Sequence, residues 1–171
     1  IETFILAADF LINRQKLALE FMIYGNPILP ADEAYQQKLL ALIEEKNLNG
    51  QVVFGGEIAH EKLALSYQAA DIFVNTSNTG SLDKTVLEAM ACGTVVVNSN
   101  YGYTEILRDF PLCVFPHGNA QELSAQILNI INLSKEEREF LGKALREVVV
   151  KEHNLRALIA KFLAAFEEIS G

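Results

Sequence analysis

The segment that most constrains the fold runs from residue 75 to residue 100 and reads NTSNTGSLDKTVLEAMACGTVVVNSN. It follows an apolar run at residues 72–74, passes through a loop of small polar residues, and continues with apolar residues at helical spacing. It then leaves into a second apolar run at residues 95–97. The order strand, loop, helix, strand is the repeating unit of a parallel sheet, because parallel strands need a crossover connection.

The loop and the first turn of this predicted helix have the properties of a phosphate site. Gly80 permits an unusual backbone angle, and Thr79 and Ser81 supply short hydroxyl groups. The first turn of a helix also offers backbone N–H groups without intrahelical partners, which attract anions. Glu88 falls away from the apolar face, within reach of the hydroxyl groups of a sugar. An ordinary capped crossover helix, with Glu88 as a solvated surface charge, explains the segment equally well.

The rest of the chain continues the alternation of strands and helices. Apolar runs at residues 19–24, 51–54 and 112–115 predict further strands, and they end in small or polar residues. Asn119 and the pair Ser134 and Glu137 predict helix caps, and a last helix carries an apolar stripe from Leu155 to Phe166. We therefore predict one α/β domain over residues 1–171, with a Rossmann-like doubly wound parallel sheet, helices on both faces and a helical carboxy-terminal extension. Ligands bind such sheets beyond the carboxyl ends of the strands.

The composition narrows the function classes. Half of the 171 residues are hydrophobic, which is enough for one substantial core. The net charge of −8 argues against nucleic-acid binding. Cys92 and Cys113 favour core positions in a reducing compartment over a disulfide framework, and His60, His117 and His153 do not have metal-ligand spacing. No run is long enough for a transmembrane segment, and we expect no signal peptide before the first element.

The motif LEAMACGTVVV, followed by NYGYTEIL, resembles the signature of retaining glycosyltransferase family 4. Members of that family carry Glu-Ala-Met-Ala-x-Gly after a Glu-x7-Glu spacing, and then a Gly-x-x-Glu-Ile step. MIYGNP, VVFGGEI and LSYQAADIFVNTS resemble other family segments in the same order, so the similarity covers about 90 positions. The resemblance implies a GT-B fold and transfer of a sugar from a nucleotide diphosphate sugar to an acceptor hydroxyl, with retention of configuration and without a metal or other cofactor.

The resemblance also implies a set of donor-binding residues. Backbone amides of Ser81 and Leu82 would hold the diphosphate, and Glu88 would bind the ribose hydroxyls. Lys84 is a candidate phosphate contact, although a surface lysine near Asp83 is the preferred interpretation. The remaining candidates are strand-end residues near the base and residues of the helix-preceding loop: Gly25, Asn26, Gly56, Ile58, Thr79 and Gly80.

The sequence departs from the family pattern at one position that matters for activity. Gly80 stands where the family has the first glutamate of its glutamate pair, which lies against the donor sugar. Whether this glycine abolishes transfer stays open, and no catalytic residue is assigned. A non-catalytic GT-B-like binding or interaction domain and a GT-B-shaped sugar-nucleotide epimerase are therefore alternatives. A flavodoxin-like receiver is a remote third, because the first strand does not end in an acidic cluster.

The opening residues have helical spacing from Phe4 to Ile12. In the resembling family the equivalent helix follows a first strand and a basic loop. We expect the chain to be most of the carboxy-terminal, donor-binding half of a GT-B enzyme, without that first strand and without the amino-terminal acceptor domain. Its partners would be a nucleotide sugar and the absent domain. The expected location is the cytoplasm, with peripheral membrane attachment through the absent domain as a variant.

Overall fold

The computed structural model describes residues 1–152 and residue 159. This part of the chain is an α/β fold with parallel strands, as the sequence predicts. The strands are β1 (Phe21–Tyr24), β2 (Val52–Gly56), β3 (Ile72–Asn75) and β4 (Val95–Asn98). The α-helices are α1 (Glu2–Asp9, continued by a π-helical turn, Phe10–Arg14), α2 (Pro30–Glu45), α3 (Leu63–Ala69), α4 (Lys84–Ala91), α5 (Ala120–Ile131) and α6 (Lys135–Glu152).

The strands form two parallel pairs. β1 pairs with β2 from the partners Phe21 and Val52, and β3 pairs with β4 from Ile72 and Val95. Within the described residues β1 and β3 do not pair with each other. The sequence predicts one continuous sheet, but in the described residues the strands form two separate pairs.

The predicted strand at residues 112–115 is wrong. Pro111–Cys113 forms a 3-10 turn, in which the Cys113 N–H donates to the Phe110 carbonyl at 2.9 Å. Pro111 favours this turn because its φ angle is fixed near that of a helix. Only Val114 makes an isolated parallel bridge to Asn98, and its neighbour Phe115 donates to the Asn98 carbonyl at 3.1 Å. One bridge still places this segment beside β4.

The predicted helix caps are confirmed. The Asn119 side chain accepts a hydrogen bond from the first turn of α5 at 3.0 Å. Ser134 and Glu137 bond reciprocally, side chain to backbone, at 3.1 and 2.8 Å. The predicted last helix, with its stripe from Leu155 to Phe166, lies outside the described residues apart from Ile159.

The core lies around β4 and α4. All four residues of β4 are buried, whereas all four residues of β3 are half-buried. The buried face of α4 consists of Val86, Ala89 and Met90, and Leu87 is only partly buried. α4 packs against β4, and the hydrogen bond from the Asn75 side chain to Asp83 places the start of this helix at the carboxyl end of β3.

Candidate functional site

Asparagine side chains join the carboxyl ends of β3 and β4. Asn75 and Asn98 are register partners, and the Asn75 side-chain amide donates to the Asn98 side-chain oxygen at 2.9 Å. The Asn98 amide in turn donates to the backbone carbonyl of Asn100 at 3.0 Å. Parallel strands end at the same edge of a sheet, so two short polar side chains meet there. The loop before α4 contacts this edge, because the Asn75 side chain also donates to Ser77 and Asp83.

The carboxylate of Asp83 faces this polar edge. It accepts hydrogen bonds from Asn75 and Asn100, both at 2.9 Å, and from the Ser77 hydroxyl at 2.5 Å. Partial burial acts to raise the pKa of Asp83, but the hydrogen bonds from Ser77, Asn100 and Asn75 outweigh it and leave the pKa below its ordinary value. Asp83 occupies the N-cap position of α4, yet no side chain caps that helix. In the first turn of α4 the Val86 N–H donates to the Asp83 carbonyl at 3.1 Å, and no side chain accepts from the N–H groups that precede it.

Asn100 fixes the loop that precedes α4. Its side-chain oxygen accepts from the N–H groups of Gly80 at 3.0 Å and Gly102 at 3.1 Å. Its side-chain amide donates to the Ser81 carbonyl at 2.8 Å. The hydroxyl groups of Thr79 and Ser81 lie 2.8 Å apart, and Leu82 is 43% exposed. The candidate residues 79–82 thus form one braced and accessible loop.

Tyr101 occupies the space that a side chain at position 80 would need. Gly80 has a φ angle of +77°, which strongly favours glycine. A Cβ atom added to Gly80 would lie 2.7 Å from Cε2 of Tyr101, and closer still to its Cζ atom and hydroxyl oxygen. Tyr101 is nevertheless 63% exposed. At the position where the family has the first glutamate of its pair, this chain therefore has a glycine with a left-handed backbone and the Tyr101 ring beside it.

Glu88 is half-buried and anchored by α3. Its carboxylate accepts a hydrogen bond from the Tyr67 hydroxyl at 3.0 Å. The Tyr67 ring is 8% exposed and packs edge-on against Phe73 at 5.6 Å. Burial, with a further contribution from Glu88, raises the pKa of Tyr67. A carboxylate held this way differs from the freely solvated charge of the alternative interpretation.

Lys84 is the first residue of α4 and is exposed. Within residues 1–152 and 159 no ion pair joins it to Asp83, because the Asp83 carboxylate faces the asparagine edge. The Lys84 side chain is therefore not held in place by its neighbour.

The candidate residues at the ends of β1 and β2 form a separate cluster. The Gly25 N–H donates to the Gly56 carbonyl at 2.8 Å, and both glycines have positive φ angles, +128° and +69°. A Cβ atom on Gly56 would lie 3.7 Å from Oδ1 of Asn26. Gly25 and Ile58 line a cleft of about 1000 Å³ that is bordered on the β3 side by Thr76. On the α4 side the cleft is lined by Thr76 and Thr85, whereas the candidates at residues 79–82, Lys84 and Glu88 do not line it.

A smaller depression of about 440 Å³ is lined by residues 92–95 and by Lys135, Arg138 and Glu139. It lies at the amino end of β4, opposite to the strand ends where ligands bind in such folds. It is therefore not the candidate site. In the part of the chain that the structure describes, no three His, Cys, Asp or Glu side chains are grouped as metal ligands, and no helix is long and apolar enough to span a membrane.

The residues that brace the loop are not part of the site predicted from the sequence. The predicted strands end in polar residues, but the predicted site does not include Asp83, Asn100 or Tyr101. The signal for the first two was present, because two predicted neighbouring strands both end in asparagine and a carboxylate precedes the helix between them. Nothing in the sequence indicated the contact between Gly80 and Tyr101.

Comparison with known proteins gives a family and a fold. The family model described as Glycosyl transferases group 1 matches residues 1–148. Alpha-monoglucosyldiacylglycerol synthase of Streptococcus pneumoniae is 26% identical over 151 residues, which cover 87% of this chain and 32% of that protein. The chain spans between 24% and 32% of the length of the curated relatives it matches.

Solved structures have the same architecture. Sucrose-phosphate synthase from Thermosynechococcus elongatus aligns with a TM-score of 0.80 at 27% identity, over 98% of this chain and 42% of that one. A mutant of S. aureus TarM, in complex with Fondaparinux, alpha-GlcNAc-glycerol and UDP, aligns with a TM-score of 0.80 at 22% identity, over 96% of this chain and 32% of that one. The α/β fold is that of GT-B glycosyltransferase domains.

Proposed function

The chain belongs to the group 1 glycosyl transferases, and from that premise we propose that it is the donor-binding part of a retaining family 4 enzyme. The enzyme would transfer a sugar from a nucleotide diphosphate sugar to an acceptor hydroxyl. The observation that carries the proposal is the uncapped first turn of α4 behind a loop braced by Asn100. Such a turn supplies backbone N–H groups where a diphosphate would need them.

The loop has the character of an electrostatic site. The amides of Ser81, Leu82 and the first turn of α4 would bind the diphosphate and stabilise the charge that develops as it leaves. Lys84, which is exposed and unpaired with Asp83 in the described residues, would add a cation. Asp83 stays ionised, but its carboxylate is turned towards the asparagine edge, where three neutral donors stabilise its charge.

Glu88 would bind the ribose hydroxyls, and Tyr67 would keep its carboxylate in place. The Gly25 and Gly56 turns, with Asn26 and Ile58, would border the base, since backbone without side chains lets a flat ring approach. The names of the relatives support sugar transfer as the class of reaction, and the UDP bound to the TarM structure makes UDP the first nucleotide to test.

The same proposal covers the rest of the complete protein. An amino-terminal acceptor domain, outside this chain, would complete the enzyme, which would act in the cytoplasm or at a membrane surface reached through that domain. The chain spans about a third of its relatives, so we expect it alone to bind donor weakly and to transfer nothing. No metal or other cofactor is needed for this mechanism, because helix amides and one lysine supply the positive potential.

One observation favours a second candidate function. Tyr101 fills the side-chain space of Gly80, so an acidic group cannot lie there in the described conformation. A GT-B-like binding domain that kept the fold but lost sugar transfer would also have a glycine at position 80 with a tyrosine side chain beside it. Donor binding with loss of transfer in the complete protein would favour this alternative.

The experiment is calorimetry of the chain with millimolar UDP, GDP, ADP and their glucose conjugates. We expect one nucleotide class to bind and to raise the melting temperature. Glu88→Gln should weaken that binding about tenfold or more, because it removes charge-assisted hydrogen bonds worth roughly 1.5–3 kcal/mol. Glu147→Gln, on an exposed position of α6, is the matched control and should bind like the parent.

Two results would count against the proposal. Equal affinity of the Glu88→Gln and parent chains would remove the ribose role of Glu88. Absence of binding to every nucleotide, in this chain and in the complete protein, would leave only the alternative of a domain that does not bind a donor.

A further inference from the structure

A short turn after β4 packs against the loop before α4. It is a 3-10 turn, Tyr101–Tyr103, and the side chain of its N-cap residue Asn100 accepts a hydrogen bond from the Gly102 N–H at 3.1 Å. Asn100 and Tyr103, at the two ends of this segment, are 2% and 0% exposed. The 100–103 turn therefore presents buried polar side chains to the loop.

The turn and the loop meet backbone to backbone at Gly102. A Cβ atom added to Gly102 would lie 2.6 Å from the carbonyl oxygen of Gly80 and 3.1 Å from that of Ser81. A residue larger than glycine would push the loop away, because neither carbonyl can move without its peptide unit. Gly102 thus lets the side chains on either side of it reach the loop.

These side chains hold two carbonyl groups of the loop. The Asn100 side-chain amide donates to the Ser81 carbonyl at 2.8 Å. The Tyr103 hydroxyl donates to the Asp83 carbonyl at 2.5 Å. Burial, with a further contribution from Asp83, raises the pKa of Tyr103, so this hydroxyl stays a hydrogen-bond donor at neutral pH.

The held carbonyls fix the direction of two N–H groups. In a trans peptide unit the N–H points opposite to the C=O, and no peptide bond in the described residues is cis. The Ser81 carbonyl shares its peptide unit with the Leu82 N–H, and the Asp83 carbonyl shares its unit with the Lys84 N–H. Both carbonyls point into the buried turn, so both N–H groups point to the opposite side of the loop.

That opposite side is open to a ligand. Leu82 is 43% exposed and Lys84 is exposed. In the part of the chain that the structure describes, neither of their N–H groups donates to an acceptor. The Gly80 N–H differs, because it is bonded to the Asn100 side-chain oxygen at 3.0 Å. Two neighbouring N–H groups that point the same way and lack an acceptor are suited to an oxyanion.

We propose that Tyr103 is a positioning residue of the donor site. Through the Asp83 carbonyl it turns the Lys84 N–H outward, beside the Leu82 N–H, and the pair binds one phosphate group of the nucleoside diphosphate. Tyr103 does not touch the ligand; it acts only through the peptide unit that it holds. The inference rests on the proposed function, because it assigns the donors of that same site.

An amide NMR titration of the isotope-labelled chain tests this role. The probes are inorganic pyrophosphate, which has no base or sugar, and UDP, GDP and ADP. In the parent we expect the Leu82 and Lys84 N–H signals to shift most among the amides of the loop. The Gly80 and Gly102 N–H signals should shift less, because both groups are already bonded to Asn100.

Tyr103→Phe removes only the hydroxyl group. We expect the dissociation constant for pyrophosphate, and for the nucleotide that binds the parent, to rise about five- to tenfold, because the Lys84 N–H loses its fixed direction. At saturation the shift of the Lys84 N–H should shrink while that of Leu82 stays. A general loosening of the fold would reduce both shifts together, so the comparison separates positioning from support.

Tyr35→Phe is the matched control. It removes the same atom from a tyrosine of α2, whose hydroxyl donates to Glu2 at 2.5 Å, and it should bind every probe like the parent. Gly102→Ala is a second, independent variant. Its added methyl group displaces the backbone of the loop, so the shifts of Leu82 and Lys84 should both fall and the dissociation constant should rise at least as much as in Tyr103→Phe.

Three results would contradict the inference. Unchanged dissociation constants in Tyr103→Phe would overturn the role of Tyr103 and leave the proposed function standing. An equal loss of the Leu82 and Lys84 shifts in that variant would make Tyr103 a general support of the fold and overturn its positioning role. No response of the parent loop to pyrophosphate or to any of the three nucleotides would overturn the phosphate site itself, and this inference with it.

Discussion

Replacement of Asn100 by alanine should release the loop before α4. Asn100 is 2% exposed, and its side chain donates to Asp83 at 2.9 Å and to the Ser81 carbonyl at 2.8 Å. Its oxygen accepts from the N–H groups of Gly80 at 3.0 Å and Gly102 at 3.1 Å. The same amide lies 3.2 Å and 3.4 Å from the hydroxyl oxygens of Ser77 and Thr79, but its two hydrogens cannot serve four acceptors fully, so these longer contacts add little. The variant would leave the other four partners without their bond to Asn100.

The magnitude follows from these contacts. Each of the three neutral bonds contributes about 1 kcal/mol, and the bond to the Asp83 carboxylate about 1.5–3 kcal/mol. Relaxation of the loop and entry of water recover part of the sum, so we expect Asn100→Ala to lower the free energy of unfolding by about 3–5 kcal/mol. That is a large fraction of the typical 5–15 kcal/mol of a domain.

Asn98→Ala is the matched control for this variant. Asn98 is also 2% exposed and loses the same atoms, but its side chain makes only two bonds, to Asn75 at 2.9 Å and to the Asn100 carbonyl at 3.0 Å. We expect a cost of about 2 kcal/mol. Urea denaturation followed by circular dichroism measures both values. If Asn98→Ala costs as much as Asn100→Ala or more, Asn100 is not the brace of the loop.

Two further predictions concern the same loop. Gly80→Glu should cost about 1–2 kcal/mol for the left-handed backbone, plus a term for displacing the Tyr101 ring; in urea denaturation the second term should vanish in a Tyr101→Ala background, and an equal cost in both backgrounds would contradict the contact. The pKa of Asp83 is lower in the folded state than its ordinary value of 3.8, so its carboxylate stabilises the fold above that pH, and this contribution is lost as the pH falls through the folded-state pKa. The difference in unfolding free energy between the parent and Asp83→Asn should therefore be constant from pH 7 to pH 5 and shrink towards pH 3. A difference at pH 3 equal to that at pH 7 would contradict the lowered pKa of Asp83.

Local sequence signals predicted the elements that carry the site. The helix with Glu88 and the caps at Asn119 and Ser134 are all confirmed. Each of them depends on groups within about four residues along the chain, where apolar periodicity and side-chain-to-backbone bonds decide the conformation. The predicted strand at residues 112–115 was wrong because the turn at Pro111 removed all but one of its pairings.

The sequence by itself therefore determined the alternation of strands and helices, the α/β class, the family motif and the loop that precedes α4. Only the tertiary structure decided that Asp83 turns to Asn75 and Asn100, that Tyr101 fills the space beside Gly80, and that the strands stand in two pairs. These features join residues that are at least eight positions apart along the chain. They depend on strand register and on which strand edges remain unpaired. Periodicity along one segment contains no information on either, because both are properties of how segments meet.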